Sequence, residues 1–328
     1  MKQTNTFSKQ SGNLIFNFFK HHLGIFIMIL VLSALLSVRT PVFLTSNNLL
    51  TVLRQISHNM FLALGMTMVI VLGGIDLSVG ALVAMTGTMT VGFIVLQGMP
   101  IWLGVILGLV IGTLCGLING TIIAFFKFPA FIVTLATMNI VRGAAYLYCG
   151  GKTTRIVDEA FVGIGTGALG PIPYPVIYMI ILIAVFSFLL NRTKLGTYIY
   201  AIGGNREAAR LSGVPIKSVE IAVFTITGFL ASFAGIVLAA RMYSGQPSVG
   251  DGNEMNAIAA CVLGGISMSG GVGSVGGTIL GVILIGIINN GLNLLNVSSY
   301  WQLVAKGVII LFAVMVDWVK RNRHSSIN

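Results

Sequence analysis

The chain has very few charged residues for its length. Only 8% of its 328 residues are Asp, Glu, Lys or Arg, whereas 56% are hydrophobic, and the mean hydropathy is +0.97. A soluble globule of this size would need more polar side chains to cover its surface. The scarcity of charge therefore excludes a soluble domain and indicates an integral membrane protein.

Acidic residues are scarcer than basic ones. Eight acidic residues stand against 19 basic residues, so the formal net charge is +11. In a soluble domain this excess would suggest a nucleic-acid partner. Here the basic residues cluster in both tails and in one central segment, as the positive-inside rule describes. We therefore expect a lipid bilayer around the chain and no nucleic acid.

Motifs for disulfides, metals and nucleotides are missing. The three cysteines are far apart, which excludes a disulfide framework or a thiolate cluster. The four histidines form no paired zinc motif, and by position they belong to tails or interfaces: His21, His22, His58 and His324. The segments 151–153 and 271–276 resemble fragments of nucleotide-binding motifs but lack their full context. We expect no catalytic site, no metal and no cofactor on this chain.

Apolar runs predict about ten transmembrane helices, some of them short or broken. A polar tail over 1–22 precedes an uncleaved first helix at about 23–38. The other spans are predicted at about 49–72, 78–96, 101–125, 129–148, 175–190, 219–240, 255–268, 273–292 and 300–318. The expected fold is an all-α polytopic membrane protein with one transmembrane domain over 23–318 and a tail over 319–328.

The distribution of basic residues predicts the orientation. The two tails and the segment 191–218 hold clusters of Lys and Arg, whereas the segment 149–174 balances two basic residues against two acidic ones. We therefore expect 191–218 to be an inner loop and 149–174 an outer loop. Both termini should then be cytoplasmic.

One short string occurs twice in the chain. Residues 71–75 and 262–266 both read Val-Leu-Gly-Gly-Ile, and Ser78 and Gly80 correspond to Ser269 and Gly271. An Asn-Gly sequence follows in each half, within 116–120 and within 286–291. These residue types are common in any membrane helix, but paired segments interrupted by glycine are typical of transporters built from internal repeats. The order of the motifs favours the repeat.

Two further patterns concern packing and docking. Glycine recurs at every fourth residue of one span, which permits close helix packing within the chain or against a second subunit: Gly104, Gly108, Gly112, Gly116 and Gly120.

In the inner loop, Asn205 can cap a short helix that carries Glu207 and Arg210 and ends before Gly213. This helix is either a docking element or an ordinary connector.

Three motifs in this order resemble one family. They are Gly-Met-Thr-Met-Val-Ile-Val-Leu-Gly-Gly-Ile-Asp-Leu-Ser-Val-Gly at 65–80, Ala-Ile-Gly-Gly-Asn-Arg-Glu-Ala-Ala-Arg-Leu-Ser-Gly at 201–213, and Ala-Ile-Ala-Ala-Cys-Val-Leu-Gly-Gly at 257–265. Over about 41–317 the chain resembles the permease subunit of ribose-type ABC sugar importers. The resemblance implies a bacterial inner-membrane permease that pairs with a second permease, expected to be identical, and with an extracytoplasmic sugar-binding protein.

The resemblance also implies a cytoplasmic ABC ATPase subunit that binds ATP and Mg. The residues that would contact it are Gly203, Gly204, Asn205, Glu207, Ala208, Ala209, Arg210 and Gly213. One departure concerns the substrate. Where relatives usually carry Glu-Leu-Asp, this chain has Glu254-Met255-Asn256, so ribose itself is not carried over.

Polar side chains inside predicted spans are candidates for a translocation path or gate. Amides and hydroxyls are costly in a membrane unless they have partners or face a wet cavity. The candidates are Asp76, Ser78, Asn119, Thr134, Thr137, Asn139, Glu254, Asn256, Asn289, Asn290 and Asn293. The alternative for each is a hydrogen bond between helices, and Asp76 or Ser78 can instead cap the next helix. Arg142 and Lys306 are expected to pair with an acidic loop residue or to snorkel.

Together these patterns predict import of a monosaccharide by ATP-driven alternating access. The alternative is an ion-coupled secondary transporter of a small polar solute. Such a transporter would keep carboxylates in the middle of the membrane, and Asp76 is the one candidate for this role. A membrane enzyme would need a polar catalytic cluster, which the sequence does not show.

Overall fold

The computed structural model describes residues 4–309, 311 and 315, and side chains from His22 onward. The helices are α1 Thr4–Arg39, α2 Ser46–Leu72, α3 Val79–Val95, α4 Ile101–Phe126, α5 Ala130–Cys149, α6 Glu159–Thr166, α7 Tyr174–Arg192, α8 Lys194–Gly204, α9 Arg206–Leu211, α10 Ile216–Arg241, α11 Asn253–Leu263 and α12 Val275–Leu294. A further helical run covers 299–309. Four two-residue strands form two antiparallel pairs outside the spans: β1 Thr154–Arg155 with β4 Ser244–Gly245, and β2 Ala168–Leu169 with β3 Ile172–Pro173.

Seven of the described helices are long and apolar enough to cross a membrane: α1 from His22, α2, α4, α5, α7, α10 and α12. The 17-residue helix α3 is apolar as well. This arrangement confirms the predicted all-α polytopic membrane protein. The predicted bounds of these eight helices agree with the structure to within a few residues.

Three predicted segments differ from the structure or lie partly outside the part described. The predicted span at 255–268 is only the 11-residue helix α11. At 1.5 Å per residue α11 is about 16 Å long, which is too short for a hydrocarbon core of about 30 Å. The predicted tail 1–22 is helical from Thr4, because α1 continues through its polar residues. The predicted span at 300–318 extends beyond the described residues.

Helix α2 is the centre of the molecule. Its residues from Ile56 to Leu72 are buried without exception, and α7, α8, α10, α11 and α12 all pack against it. From Met60 to Leu72 the helix carries no polar side chain except Thr67, as expected of a helix that is buried on every side. The elements that matter for function are therefore arranged around α2.

Four of the five regularly spaced glycines of α4 lie against α10, and the first, Gly104, lies against α3. A Cβ atom at Gly112 would come 2.5 Å from Cβ of Ser232, and one at Gly120 would come 2.8 Å from Cα of Ile221. Gly228 of α10 meets the backbone of α4 in the same way. Small residues let two membrane helices approach backbone to backbone. The glycine pattern therefore serves packing within the chain, and the alternative of a subunit interface is wrong for this face.

The two copies of the repeated string end two helices and meet each other. Gly73, in the left-handed region at φ +96°, ends α2, and residues 73–78 lead without regular structure into α3. In the second copy α11 ends at Leu263, and residues 264–274 lead into α12. The amide of Gly271 donates a hydrogen bond of 2.8 Å to the carbonyl oxygen of Val71. The two breaks in the helices are thus in direct contact.

Candidate functional site

A polar cavity of about 470 Å³ lies between α2, α10, α11, α12 and the helical run after α12. Its wall is formed by Thr51, Gln55, His58, Asn59, Leu238, Arg241, Met242, Val249, Gly250, Asn253, Asn256, Asn289, Asn293, Gln302 and Lys306. Most of these side chains are neutral amides or other polar groups. Three predicted path residues, Asn256, Asn289 and Asn293, belong to this wall.

Some polar atoms in the cavity wall have no protein partner. Both Nδ1 of His58 and Oδ1 of Asn289 are buried and make no hydrogen bond within the described part of the chain. The other ring nitrogen of His58 lies 3.0 Å from the amide nitrogen of Asn253. An unsatisfied buried polar group costs about 1–3 kcal/mol. Atoms of this kind suit a wet cavity that also receives a polar solute.

Several wall residues were missed by the sequence reasoning: Gln55, His58, Asn59, Arg241 and Gln302. The placement of His58 in a tail or interface is wrong, because it is buried within α2. One available signal was the spacing of Thr51, Gln55 and His58, which lie on one face of a helix. The residues across the cavity lie on α10, α11 and α12, far away in the sequence, so the cavity itself could not be predicted from local spacing.

Arg142 holds one edge of the cavity in place. Its Nη1 atom donates to the carbonyl oxygens of Pro247 at 2.9 Å and Val249 at 2.6 Å. These carbonyls belong to the segment 242–252, which contributes Val249 and Gly250 to the cavity wall. The prediction of an acidic partner is met in part, because Arg142 is also close enough to Glu254 for their charges to attract, whereas the contact with backbone carbonyls was not predicted. Charged groups inside membrane proteins commonly pair with backbone carbonyls in this way.

Asp76 belongs to a separate buried network. Its Oδ1 accepts hydrogen bonds from the amide of Ser78 at 2.8 Å and from Oγ of Ser78 at 2.6 Å. Asn119 donates to Oγ of Ser78 at 3.2 Å, and Thr137 donates to Oδ1 of Asn119 at 2.6 Å. Thr134 accepts from the amide of the intervening residue Leu77 at 3.1 Å. These five path candidates come together, but away from the cavity wall.

The network fixes the first break rather than capping α3. Ser78 occupies the N-cap position of α3, but its side chain makes no cap hydrogen bond there. It donates to Asp76 instead, as in the local turns that short polar side chains favour. The predicted side-chain cap by Ser78 is therefore wrong.

The remaining path candidates lie elsewhere. Asn290 exchanges two hydrogen bonds with Asn48, at 2.8 and 3.1 Å, so it joins α12 to α2. Asn139 is exposed on α5 and bonds to its own helix at the carbonyl of Leu135. The carboxyl group of Glu254 packs against Gly80. None of these three belongs to the cavity wall.

The predicted capped helix in the inner loop is α9. Oδ1 of Asn205 accepts from the amide of Ala208 at 2.9 Å, and Gly213 is left-handed at φ +79°. Glu207 and Arg210 form an exposed ion pair of 2.9 Å on this helix. The cap and the end of the helix are confirmed.

Arg206 ties α9 to α10. Its two terminal nitrogens contact the two carboxylate oxygens of Glu220, at 2.5 and 3.2 Å. The hydrogen bond to Glu220 raises the pKa of Arg206. A two-point contact between a guanidinium and a carboxylate fixes orientation as well as distance. This pair forms part of the wall of a smaller cavity of about 240 Å³ beside Gly73.

The end of α8 touches both helix breaks through five glycines, which we call the glycine junction: Gly73, Gly203, Gly204, Gly270 and Gly271. A Cβ at Gly203 would overlap the carbonyl oxygen of Val71 and lie 2.5 Å from the amide of Gly271. A Cβ at Gly270 would lie 3.1 Å from Cα of Gly73. Tyr200 donates to the carbonyl of Gly273 at 2.9 Å. The loop element is therefore seated on both breaks at once.

Comparisons with known proteins agree with this geometry. A family model described as branched-chain amino acid transport system / permease component matches residues 48–314. The ribose import permease of Haemophilus influenzae is 45% identical over 89% of this chain and 91% of its own length. The ribose import permease of Bacillus subtilis is 44% identical, over 90% and 91%.

An arabinose permease is also similar. The L-arabinose transport system permease of Escherichia coli K12 is 40% identical over 91% of this chain and 90% of its own length. No solved structure gives a significant match. On the family match and on this kinship with sugar import permeases, the chain belongs to the family of transport-system permease components.

Proposed function

We propose that the chain is the permease subunit of an ABC importer, and that it carries a monosaccharide across the membrane by ATP-driven alternating access. The observation that carries this proposal is the amide-rich cavity between α2, α10, α11 and α12. Sugars are recognised by hydrogen bonds, and amides supply both donors and acceptors. The names of the relatives, which are ribose and arabinose permeases, point to the same class of substrate.

The ion-coupled alternative is not favoured by the cavity. Among its described wall residues there is no Asp or Glu. Asp76, the predicted carboxylate for ion coupling, is fully buried in the network with Ser78 and Asn119. Arg241 and Lys306 in the described wall would repel a coupling cation, and no carboxylate there offsets their charge.

We assign one proposed partner to the side of the membrane that carries α9 and another to the opposite side. An ABC ATPase that binds ATP and Mg docks on α9, where Glu207 and Arg210 are exposed; this chain binds no cofactor itself. A sugar-binding protein delivers the monosaccharide on the opposite side, and a second copy of the chain completes a homodimer. The α9 side is cytoplasmic in this proposal, and both termini are cytoplasmic, as in a multi-pass protein of the bacterial inner membrane.

The proposed transmission of motion uses contacts described above. The glycine junction links the docking helix to both breaks, and the Arg206–Glu220 pair links it to α10. Glu220 and Arg241 lie about 31 Å apart on α10 at 1.5 Å per residue, and Arg241 lines the cavity. A displacement of α9 is therefore carried along α10 to the cavity wall.

Reconstitution in liposomes tests this function. The chain is assembled with its ATPase and its binding protein, and uptake of labelled monosaccharides is followed with ATP or with a non-hydrolysable analogue. We expect uptake only with hydrolysable ATP and all three components. Uptake by the chain alone, driven by an ion gradient, would overturn the proposal.

A further inference from the structure

The cavity is positively charged. Arg241 and Lys306 both belong to its wall, and no described wall residue is acidic. The nearest acidic residues along the chain do not belong to the wall: the carboxyl group of Glu254 packs against Gly80, and Asp251 is exposed. The cavity therefore holds cationic side chains without a carboxylate of its own.

A third cation lies beside this wall. Arg54 is one helical turn from His58 on α2 and is close enough to Arg241 for their charges to repel. Its Nε atom is buried and makes no hydrogen bond within the described part of the chain. The ion pairs found among the described residues are Arg206–Glu220 and Glu207–Arg210, both at the other end of α10. Arg54, Arg241 and Lys306 thus lack a carboxylate partner in this part of the chain.

Clustered cations without counterions destabilise a partly buried site. Removing a charge from water is costly unless an opposite charge and further hydrogen bonds compensate for it. A bound anion would supply this compensation. Two more atoms in the wall are ready for a ligand, because Nδ1 of His58 and Oδ1 of Asn289 are buried without partners. A volume of about 470 Å³ lies within the usual range for small-molecule sites.

We propose that the cavity binds an acidic monosaccharide, a sugar that bears a carboxylate or a phosphate group. The anionic group is held by Arg241 and Lys306, and the hydroxyl groups by the amides of Asn253, Asn256 and Asn289. This inference rests on the proposed function and narrows its substrate class. Asn256 contributes to this selectivity, because an aspartate at the same position would place a carboxylate in the cavity wall and repel an anion.

The test compares matched ligands and matched variants of the full chain in nanodiscs of neutral phosphatidylcholine. Ribose, riburonate and ribose 5-phosphate can all close to a sugar ring and differ mainly in the charge on C5, and their binding is measured by titration calorimetry. We expect at least one of the two acids to bind at least tenfold more tightly than ribose. Asn256→Asp, which keeps the size of the side chain, and Lys306→Gln should each reduce this preference at least tenfold. Lys152→Gln, which removes an exposed charge outside the cavity, should leave it unchanged.

Three results would overturn the inference. The first is equal binding of ribose and both acids. The second is a preference for the acids that survives Asn256→Asp and Lys306→Gln. The third is thermal stabilisation of the chain only in nanodiscs that contain acidic phospholipid, with no sugar competing for the site. The last result would identify a lipid headgroup as the anion. Uptake by the complete importer separates this inference from the proposed function. ATP-driven uptake restricted to neutral sugars would leave the proposed function intact and overturn the acidic substrate. An assembled importer that transports no sugar would overturn the proposed function.

Discussion

At Gly203, the absence of a side chain lets three segments touch through their backbones. The glycine lies between the carbonyl of Val71, two residues before the first break, and the amide of Gly271 in the second break. Backbone atoms cannot move aside as a flexible side chain can, so even one methyl group has no space here. Contact between the docking element and both breaks depends on this residue.

Gly203→Ala should therefore separate docking from transport. We expect ATP-driven uptake to fall at least tenfold, because α8 can no longer rest on the breaks, while the ATPase still co-purifies through α9. Gly143→Ala on α5 is the control, since a Cβ there meets nothing within 4 Å and the residue lies outside the glycine junction. Wild-type uptake by Gly203→Ala would show that the junction does not transmit motion.

The Arg206–Glu220 pair is predicted to couple ATP hydrolysis to transport. Glu220→Gln keeps the shape of the side chain but removes the charge that orients the guanidinium. We expect the ATPase rate to be retained and the sugar moved per ATP to fall several-fold. The exchange Arg206→Glu with Glu220→Arg should recover part of the loss; equal coupling in wild type and Glu220→Gln would contradict the role.

Among the elements, α4 and α10 are joined most closely, and they show what sequence can and cannot predict. The glycine spacing predicted a close contact, but only the structure identified α10 as the partner. The length of α11 was overestimated, because residues 255–268 are mostly apolar and carry no charge. The helix nevertheless ends before Gly265, whose φ of +88° a helix cannot continue through.

Gly112→Ala should weaken this pair of helices. The new methyl group would lie 2.5 Å from Cβ of Ser232, so the helices must separate or shift. Overpacking of this kind costs about 1–3 kcal/mol, which thermal unfolding in nanodiscs would show as a lower Tm. Gly24→Ala on α1, with nothing within 4 Å of its Cβ, should leave Tm unchanged or slightly higher. Equal Tm changes for the two variants would contradict the packing account.

For the site, sequence reasoning found part of the cavity and misassigned part of it. Asn256, Asn289 and Asn293 were recognisable as amides in apolar spans. Residues of α2 such as His58 were not, because their role depends on which face of α2 meets α12. The Asp76 network was recognisable as a set of polar residues, but its separation from the cavity depends on the extended path of residues 73–78.

At the scale of the whole molecule, one wall of the cavity is a segment without regular structure. Residues 246–252 hold their position through Arg142, which reaches them from α5. Arg142→Leu should leave the two carbonyls unpaired and the segment more open. We expect faster amide hydrogen exchange over 242–252 and uptake reduced at least tenfold.

Arg192→Leu is the control for this change, because Arg192 is an exposed arginine at the end of α7. It removes the same charge without touching the carbonyls of Pro247 and Val249. If Arg142→Leu left exchange over 242–252 at the wild-type rate, the segment would have to be held by other contacts.

The backbone contact between α4 and α10 also limits how the molecule can deform. Lys217 of α10 lies 4.4 Å from the ring centroid of Phe125 on α4, so the pair is fastened at its end as well as along its length. Two helices fastened in this way move as a rigid body. Any hinge must then lie outside them, at the loops that leave this body and at the two glycine-containing breaks. We therefore expect the transport cycle to rotate blocks about a few backbone torsions, with little bending of the helices themselves.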